Sequence, residues 1–326
     1  MDKMILPRYR DLEAAVKRTA PHIVQTPLLE SPLLNDHIGG RLLVKAEPLQ
    51  KTGSFKFRGA TNAIWNLPDT VTHVVAYSSG NHAAAVAAAA ASRGMIATII
   101  MPEDAPAMKI ANTKAFGGQV VTYDRYKESR EDIGAKLAKE QGATLIPPFE
   151  YLPVIAGQGT IGIEISDELK HQNVTPDQLI CCTGGGGLLA GISIGIHQHF
   201  PDVAIIAAEP DGFDDFKRSL ESGARVSNDP DARSICDAII TPMPGEMTFA
   251  INSQHVSQAV AVSDDDALNA IAVAWRYLKI VAEPGGAVAL AAILAGKVDA
   301  KNKTTVVIVS GGNVDQDIFN RALNML

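Results

Sequence analysis

Short β-branched runs alternate with longer stretches rich in alanine and glycine along most of this chain, a rhythm that few folds accommodate. The first series comprises HVVAYS (73–78), NHAAAVAAAAASRG (81–94), ATIIMP (97–102), AMKIANTKAFG (107–117) and QVVTYD (119–124). The second comprises LICC (179–182), LLAGISIGIHQHF (188–200), VAIIAAEP (203–210), DDDALNAIAVAWRYLK (264–279), GGAVALAAILAG (285–296) and TTVVIV (304–309), with a middle segment to about residue 260 left unassigned. Runs of strand length separated by segments of helix length predict βαβ units, and hence parallel sheets. Two such series predict an α/β chain with two parallel-sheet lobes, and 326 residues at 46% hydrophobic content suffice to bury both cores. Open sheets of this kind bind ligands beyond the carboxyl ends of their strands. Three glycine-rich or polar turns fall there, over residues 78–82, 183–187 and 310–313.

The charge balance excludes some partners. A formal net charge of −7, with no clustered Lys or Arg, argues against a nucleic-acid binder and points to a small-molecule partner. Cys181, Cys182 and Cys236 are too few and too badly spaced for a disulfide framework or a zinc site, which suits a reduced, cytoplasmic setting. The N-terminus lacks a signal-peptide pattern, and Gly, Pro or charge interrupts every apolar stretch before it reaches membrane-spanning length.

Five segments carry possible chemistry. In KTGSFKFRGA (51–60), Lys56 stands between Phe55 and Phe57 where a loop gives way to a helical pattern. Apolar neighbours disfavour the ammonium form and free the amine for Schiff-base formation, although a solvated surface lysine reads the same way in isolation. Gly184, Gly185, Gly186 and Gly187 follow the strand LICC and precede the helical run from Leu188. Such a turn either packs closely or converges its backbone N–H groups on one phosphate; its spacing is neither that of a Walker loop nor of a dinucleotide fingerprint. In SSGNH, Ser78, Ser79 and Asn81 either cap the next helix or bind an anion, with His82 ambiguous. EPDGFDD places Glu209 and Asp215 on an acidic turn that is either solvated or a site for Mg²⁺ or Ca²⁺. Ser310 either starts a tight turn or hydrogen-bonds a heterocyclic nitrogen.

SFKFRGA, SSGNH, ESRE, AGQGT, GGGGLLAG, EP with a downstream Asp, AEPGGA and SGGN occur together and in this order over roughly residues 10–316. Jointly they resemble the fold-type II (tryptophan synthase β-like) pyridoxal 5'-phosphate enzymes, in the serine/threonine dehydratase and serine racemase branch. The resemblance implies a cofactor in the cleft between the lobes, a large cofactor-binding domain from residues 1–70 and 149–326, and a small mobile domain from 71–148. It implies that Lys56 carries the cofactor and acts as base, and that Phe55 lies against the ring. Asn81 is expected at the ring hydroxyl, Gly184 to Gly187 with Leu188 at the phosphate, and Ser310 at the pyridine nitrogen. The substrate carboxylate is expected at Ser78, Asn81 and His82, with Ser79 as a second catalytic group on the opposite face and Arg130 approaching from the mobile lobe. Glu209, the Phe213 carbonyl and Asp215 are expected to hold Mg²⁺ or Ca²⁺.

The implied activity is dehydration of a small β-hydroxy-α-amino acid such as threonine, serine or 3-hydroxyaspartate to a 2-oxo acid and ammonia. The alternatives are an amino-acid racemase on the same cofactor or a non-catalytic cofactor-binding protein. A homodimer is usual in this branch. The chain departs from the branch at Cys236 and Ala238, where Ala and Gly are common around the Asp, and at Ala83 and Ala84. Pro32 and Phe116 stand where animal racemases have nucleotide-binding side chains, so ATP activation is not expected to carry over. The chain stops at Leu326, before the regulatory domain of biosynthetic threonine dehydratases would begin.

Overall fold

The computed structural model describes residues 4–78, 80–105, 107–124 and 127–326. Ten strands are described: β1 Leu28–Leu29, β2 Arg41–Ala46, β3 His73–Tyr77, β4 Ile96–Pro102, β5 Gln119–Tyr123, β6 Thr144–Leu145, β7 Gln178–Cys182, β8 Ala204–Pro210, β9 Val256–Val262 and β10 Thr304–Val309. They form a six-stranded sheet in the order β1-β2-β10-β7-β8-β9 and a four-stranded sheet in the order β5-β4-β3-β6. Every pairing is parallel except β1 with β2. The expected α/β chain with two parallel-sheet lobes is therefore present. Burial on both faces explains the near-continuous apolar runs of the central strands β7 and β10.

Each predicted strand in the two series forms, and the unassigned middle segment contains a further one. β9 pairs alongside β8 at the sheet edge, where its exposed Ser257 and Gln258 break the apolar pattern. β2 is outside the two series, and it carries Lys45 within the apolar run that follows Arg41. That lysine is fully buried and bonds Glu164 at 2.7 Å.

The Lys56–Trp65 helix lies between the lobes, packed on the Asn81–Ser92 helix and on the Leu152–His171 helix. AGQGT is what allows the second contact. A Cβ on Gly157 would stand 2.6 Å from the Gly59 Cα, and the Gln158 Oε1 accepts the Gly59 N–H at 3.1 Å. The alanine helix Asn81–Ser92 is buried over nearly its whole length, as its small side chains require.

Candidate active site

Two strands, β3 and β7, end on one cavity of about 610 Å³ between the two sheets, and β10 ends just behind its wall. β3 delivers the turn with Ser78, Asn81 and His82; β7 delivers the glycine run; β10 leads to Ser310. The walls include Phe55, Lys56, Ser78, Asn81, His82, Arg130, the four glycines and Leu188, so most of the residues singled out from sequence converge here. Ser79 lies outside the described residues. Glu209, Phe213 and Asp215 stand elsewhere, at the end of β8 and the start of the helix Asp215–Ser222.

Lys56 is fixed by the strand behind it. The Phe55 N–H donates to the Ser310 carbonyl at 3.0 Å, and Ser54 bridges to Gly311, so the helix bearing Lys56 starts from the end of β10. The Lys56 Nζ donates to the Pro148 carbonyl at 3.0 Å and lies 5.1 Å from the centre of the Phe55 ring. Lys56 lines the cavity, and burial pulls its amine down to about 8. About a tenth is therefore neutral and nucleophilic at pH 7, far more than for a lysine at its usual 10.5.

The glycine run has the form of an anion cradle. The Gly185 carbonyl accepts from Thr248 Oγ1 at 2.6 Å and the Gly186 carbonyl from Asn252 Nδ2 at 3.1 Å. Thr248 and Asn252 are buried behind the loop. In a trans peptide the N–H points opposite the carbonyl, so the Gly186 and Gly187 amides face the cavity. The helix Gly187–His197 begins there, adding its dipole. Gly186 has φ +87°, which favours glycine, and a Cβ on Gly184 would stand 2.6 Å from the Ile239 carbonyl oxygen. A lysine amine on one wall and an unneutralised amide cradle on another fit a phosphorylated aldehyde such as pyridoxal phosphate.

The remaining groups refine the expectations. Ser310 does not line the cavity; it stands behind Cys182, whose thiol donates to its Oγ at 3.2 Å. The His82 Nε2 donates to the Ile146 carbonyl at 2.9 Å, and burial, reinforced by Lys56, pulls the ring down to about 3. The imidazole is thus neutral with a lone pair on Nδ1, so His82 can hold a carboxylate only through its backbone N–H at the helix start. Arg130 places its guanidinium 5.2 Å from the Tyr77 ring centre and bonds Glu131 through Nε at 2.8 Å.

Four further groups stand at the site: Glu283, Asn313, Lys109 and Asp237. Glu283 accepts from Asn81 Nδ2 at 2.5 Å, and Asn313 Nδ2 donates to the Asn81 Oδ1 at 2.7 Å, so both ends of the Asn81 amide are held. The visible signal for Glu283 was an acid at the head of the otherwise apolar helix Pro284–Leu294. Lys109 and Asp237 form an ion pair at the cavity wall; Lys109 is not singled out from sequence, and Asp237 only as the acid between Cys236 and Ala238.

Burial pushes Glu283 from 4.5 up to about 8, with Lys109 opposing and Asp237 adding to the rise. Folding therefore takes up a proton: the contribution is full below about 4.5 and is lost as pH rises to about 8. Denaturant unfolding of the cofactor-free protein across that window is expected to show stability falling with pH, and Glu283→Gln to flatten the slope. An unchanged slope would place this carboxyl in the ordinary range.

A buried, partly neutral lysine opposite a phosphate cradle, set where two parallel sheets meet, defines the class of pyridoxal-phosphate enzymes with the fold-type II architecture. The sequence profile of the family described as "Pyridoxal-phosphate dependent enzyme" matches residues 19–311, and the chain belongs to that family. It is 40% identical over 315 residues to an L-threo-3-hydroxyaspartate ammonia-lyase of Saccharomyces cerevisiae, covering 96% of this chain and 95% of that protein. It is 39% identical to a serine racemase of Schizosaccharomyces pombe, covering 99% of each chain. Among solved structures, a threonine deaminase from T.th. superposes with a TM-score of 0.89 at 41% identity, covering 95% of this chain and 99% of that one.

Proposed function

We propose that this protein is a pyridoxal-phosphate dependent ammonia-lyase that dehydrates a small β-hydroxy-α-amino acid to a 2-oxo acid and ammonia. The observation that carries this is the position of Lys56, a desolvated amine facing the cavity between the Ser78–Asn81–His82 turn and the glycine cradle. The bound cofactor supplies an electron sink for the carbanion formed at the substrate α-carbon. Lys56 holds the cofactor at rest and, once free, takes the α-proton. The amides at the start of the Asn81–Ser92 helix and the Ser78 hydroxyl hold the substrate carboxylate, which fixes the α-C–H bond toward Lys56. Asn81, clamped by Glu283 and Asn313, would orient the ring; the Gly186, Gly187 and Leu188 amides would anchor the phosphate; Cys182, with Ser310 behind it, would face the ring nitrogen. The β-hydroxyl leaves as water, balanced by the α-proton taken up by Lys56, and the resulting enamine tautomerises to an imine that water hydrolyses to the 2-oxo acid and ammonia.

The lobe over residues 71–148 is the moving part in this reading, and it brings Arg130 toward the large domain formed by residues 1–70 and 149–326. A cytoplasmic homodimer completes the picture; all three cysteines are buried free thiols, and no described helix is long and apolar enough to cross a membrane. Racemisation is the second reading, favoured by the racemase relatives, with Ser79 returning a proton on the face opposite Lys56. The test is to add L-threonine, L-serine and 3-hydroxyaspartate to the holoenzyme and measure 2-oxo acid and D-amino acid together. We expect 2-oxo acid as the main product; D-isomer in excess would favour the racemase, and no product from any substrate would favour a cofactor-binding protein without turnover.

A structural Mg²⁺ or Ca²⁺ at Glu209, the Phe213 carbonyl and Asp215 belongs to the same proposal. Both carboxyls are fully buried; burial and their mutual repulsion push Glu209 well up, and burial lifts Asp215 to about 6. Asp215 Oδ2 has no hydrogen-bond partner among the described residues. The Glu209 oxygens accept the Phe216 and Lys217 N–H groups at 2.9 and 2.8 Å. Among the described residues no three His, Cys, Asp or Glu side chains cluster for a metal, so a cation here depends on the carbonyl as well. Adding Mg²⁺ or Ca²⁺ to chelator-treated protein is expected to raise the unfolding temperature by several degrees; an unchanged temperature would rule the ion out.

A further inference from the structure

The Lys109–Asp237 ion pair crosses the cavity from one lobe to the other. Lys109 comes from the helix Ala107–Ala115, which follows β4 in the four-stranded lobe; Asp237 comes from the segment between the helices Asp215–Ser222 and Glu246–His255. The two partners differ in freedom. The Lys109 side chain is only 11% exposed, whereas that of Asp237 is 43% exposed. Asp237 can leave for water at little cost, but Lys109 cannot stay inside without a counter-ion. The ammonium also lies along the turn that faces a substrate, since a Cβ on Gly80 would stand 3.7 Å from Nζ. Arg130 shares the wall, with its guanidinium over Tyr77 and tied to Glu131.

We infer that Lys109 is the subsite for the side-chain carboxylate of an acidic substrate, and that Asp237 is the internal counter-ion which this carboxylate replaces. The ligand class is a β-hydroxy amino dicarboxylate, of which 3-hydroxyaspartate is the simplest. The exchange swaps one carboxylate for another on a fixed cation, so no buried charge is left unpaired. A neutral side chain such as that of serine or threonine cannot make the exchange and leaves the pair intact. Selectivity for the acid thus comes from Lys109 and is moderated by competition from Asp237, and the inference rests on the dehydratase reading for its substrate series.

Two variants of the holoenzyme separate the partners. In Lys109→Gln the ratio of kcat/KM for threo-3-hydroxyaspartate to that for serine is expected to fall by about tenfold or more, as truncating one partner of a buried charge pair does. Lys109→Arg should restore part of it. In Asp237→Asn the same ratio should rise, because the competitor is gone. Calorimetric binding of succinate, against butyrate as the monocarboxylate control, supplies a readout without turnover; Lys109→Gln should weaken succinate selectively. If the wild type turns over serine and both variants leave the ratio and succinate binding unchanged, the subsite is wrong and the dehydratase reading stands. If no β-hydroxy amino acid is turned over but Lys109→Gln still weakens succinate selectively, the dehydratase reading fails and the subsite stands.

Discussion

Lys56→Ala is expected to eliminate the visible absorbance of lysine-bound cofactor and to cut turnover by ~10²–10⁴-fold or more, the range for loss of a positioned proton-transfer group. The effect is large because Lys56 has two tasks that no neighbour can take over. Lys109 is committed to Asp237, and Arg130 is tied to Glu131. His82 is neutral but spends its Nε2 proton on the Ile146 carbonyl. The amine is also difficult to replace from solution, because burial is what holds Lys56 near 8 rather than at its usual 10.5. The glycine cradle is untouched by the substitution, so the variant should still bind pyridoxal phosphate non-covalently. Dialysis would then strip the cofactor from the variant and leave the wild type coloured. Retention of both colour and activity would overturn the assignment of Lys56.

Arg58→Met is expected to destabilise the protein by ~3–5 kcal/mol, the scale for breaking a buried ion pair by removing one partner. Arg58 is 0% exposed and bonds Glu47 at 2.8 and 2.9 Å and Glu164 at 2.6 and 2.8 Å. Lys45 bonds Glu164 from the other side at 2.7 Å, and Thr26 donates to Glu47 at 2.6 Å. Two cations and two carboxylates thus neutralise one another in the interior, and removal of one guanidinium leaves net negative charge there. The first turn of the helix that starts at Lys56 is anchored by this network, so cofactor retention should fall together with stability. Denaturant unfolding measures the first effect and residual colour the second. A double variant, Arg58→Met with Glu47→Gln, should recover part of the loss; if the single variant loses less than about 1 kcal/mol, the network is relaxed or hydrated.

Much of the fold was legible because periodicity is a local property. The parallel strands at the core announced themselves as apolar runs, and the turns after β3, β7 and β10 were found because they stand out as polar or glycine-rich breaks. The alternation therefore determined the α/β class and the side of the sheets on which a ligand binds. Taken with the ordered motifs, it also determined which lysine and which glycines face the cavity.

The sequence did not reveal features whose meaning lies in long-range pairing. Lys45 interrupts the apolar run of β2, and only Glu164, 119 residues away, makes it a core residue. Arg58 in FRGA was one more charge until Glu47 and Glu164 closed around it. The bond from the Cys182 thiol to the Ser310 hydroxyl, 128 residues along the chain, was likewise not legible. Lys109 and Asp237 are 128 residues apart, and nothing local points to their pairing. Periodicity and turn chemistry are fixed by neighbours in the chain, so the sequence alone determined the lobes and the location of the site. The ionisation of Lys56, His82 and Glu283, and the pairing of Lys109 with Asp237, depend on desolvation and on charges brought together by the meeting of the two lobes, and these only the tertiary structure decided.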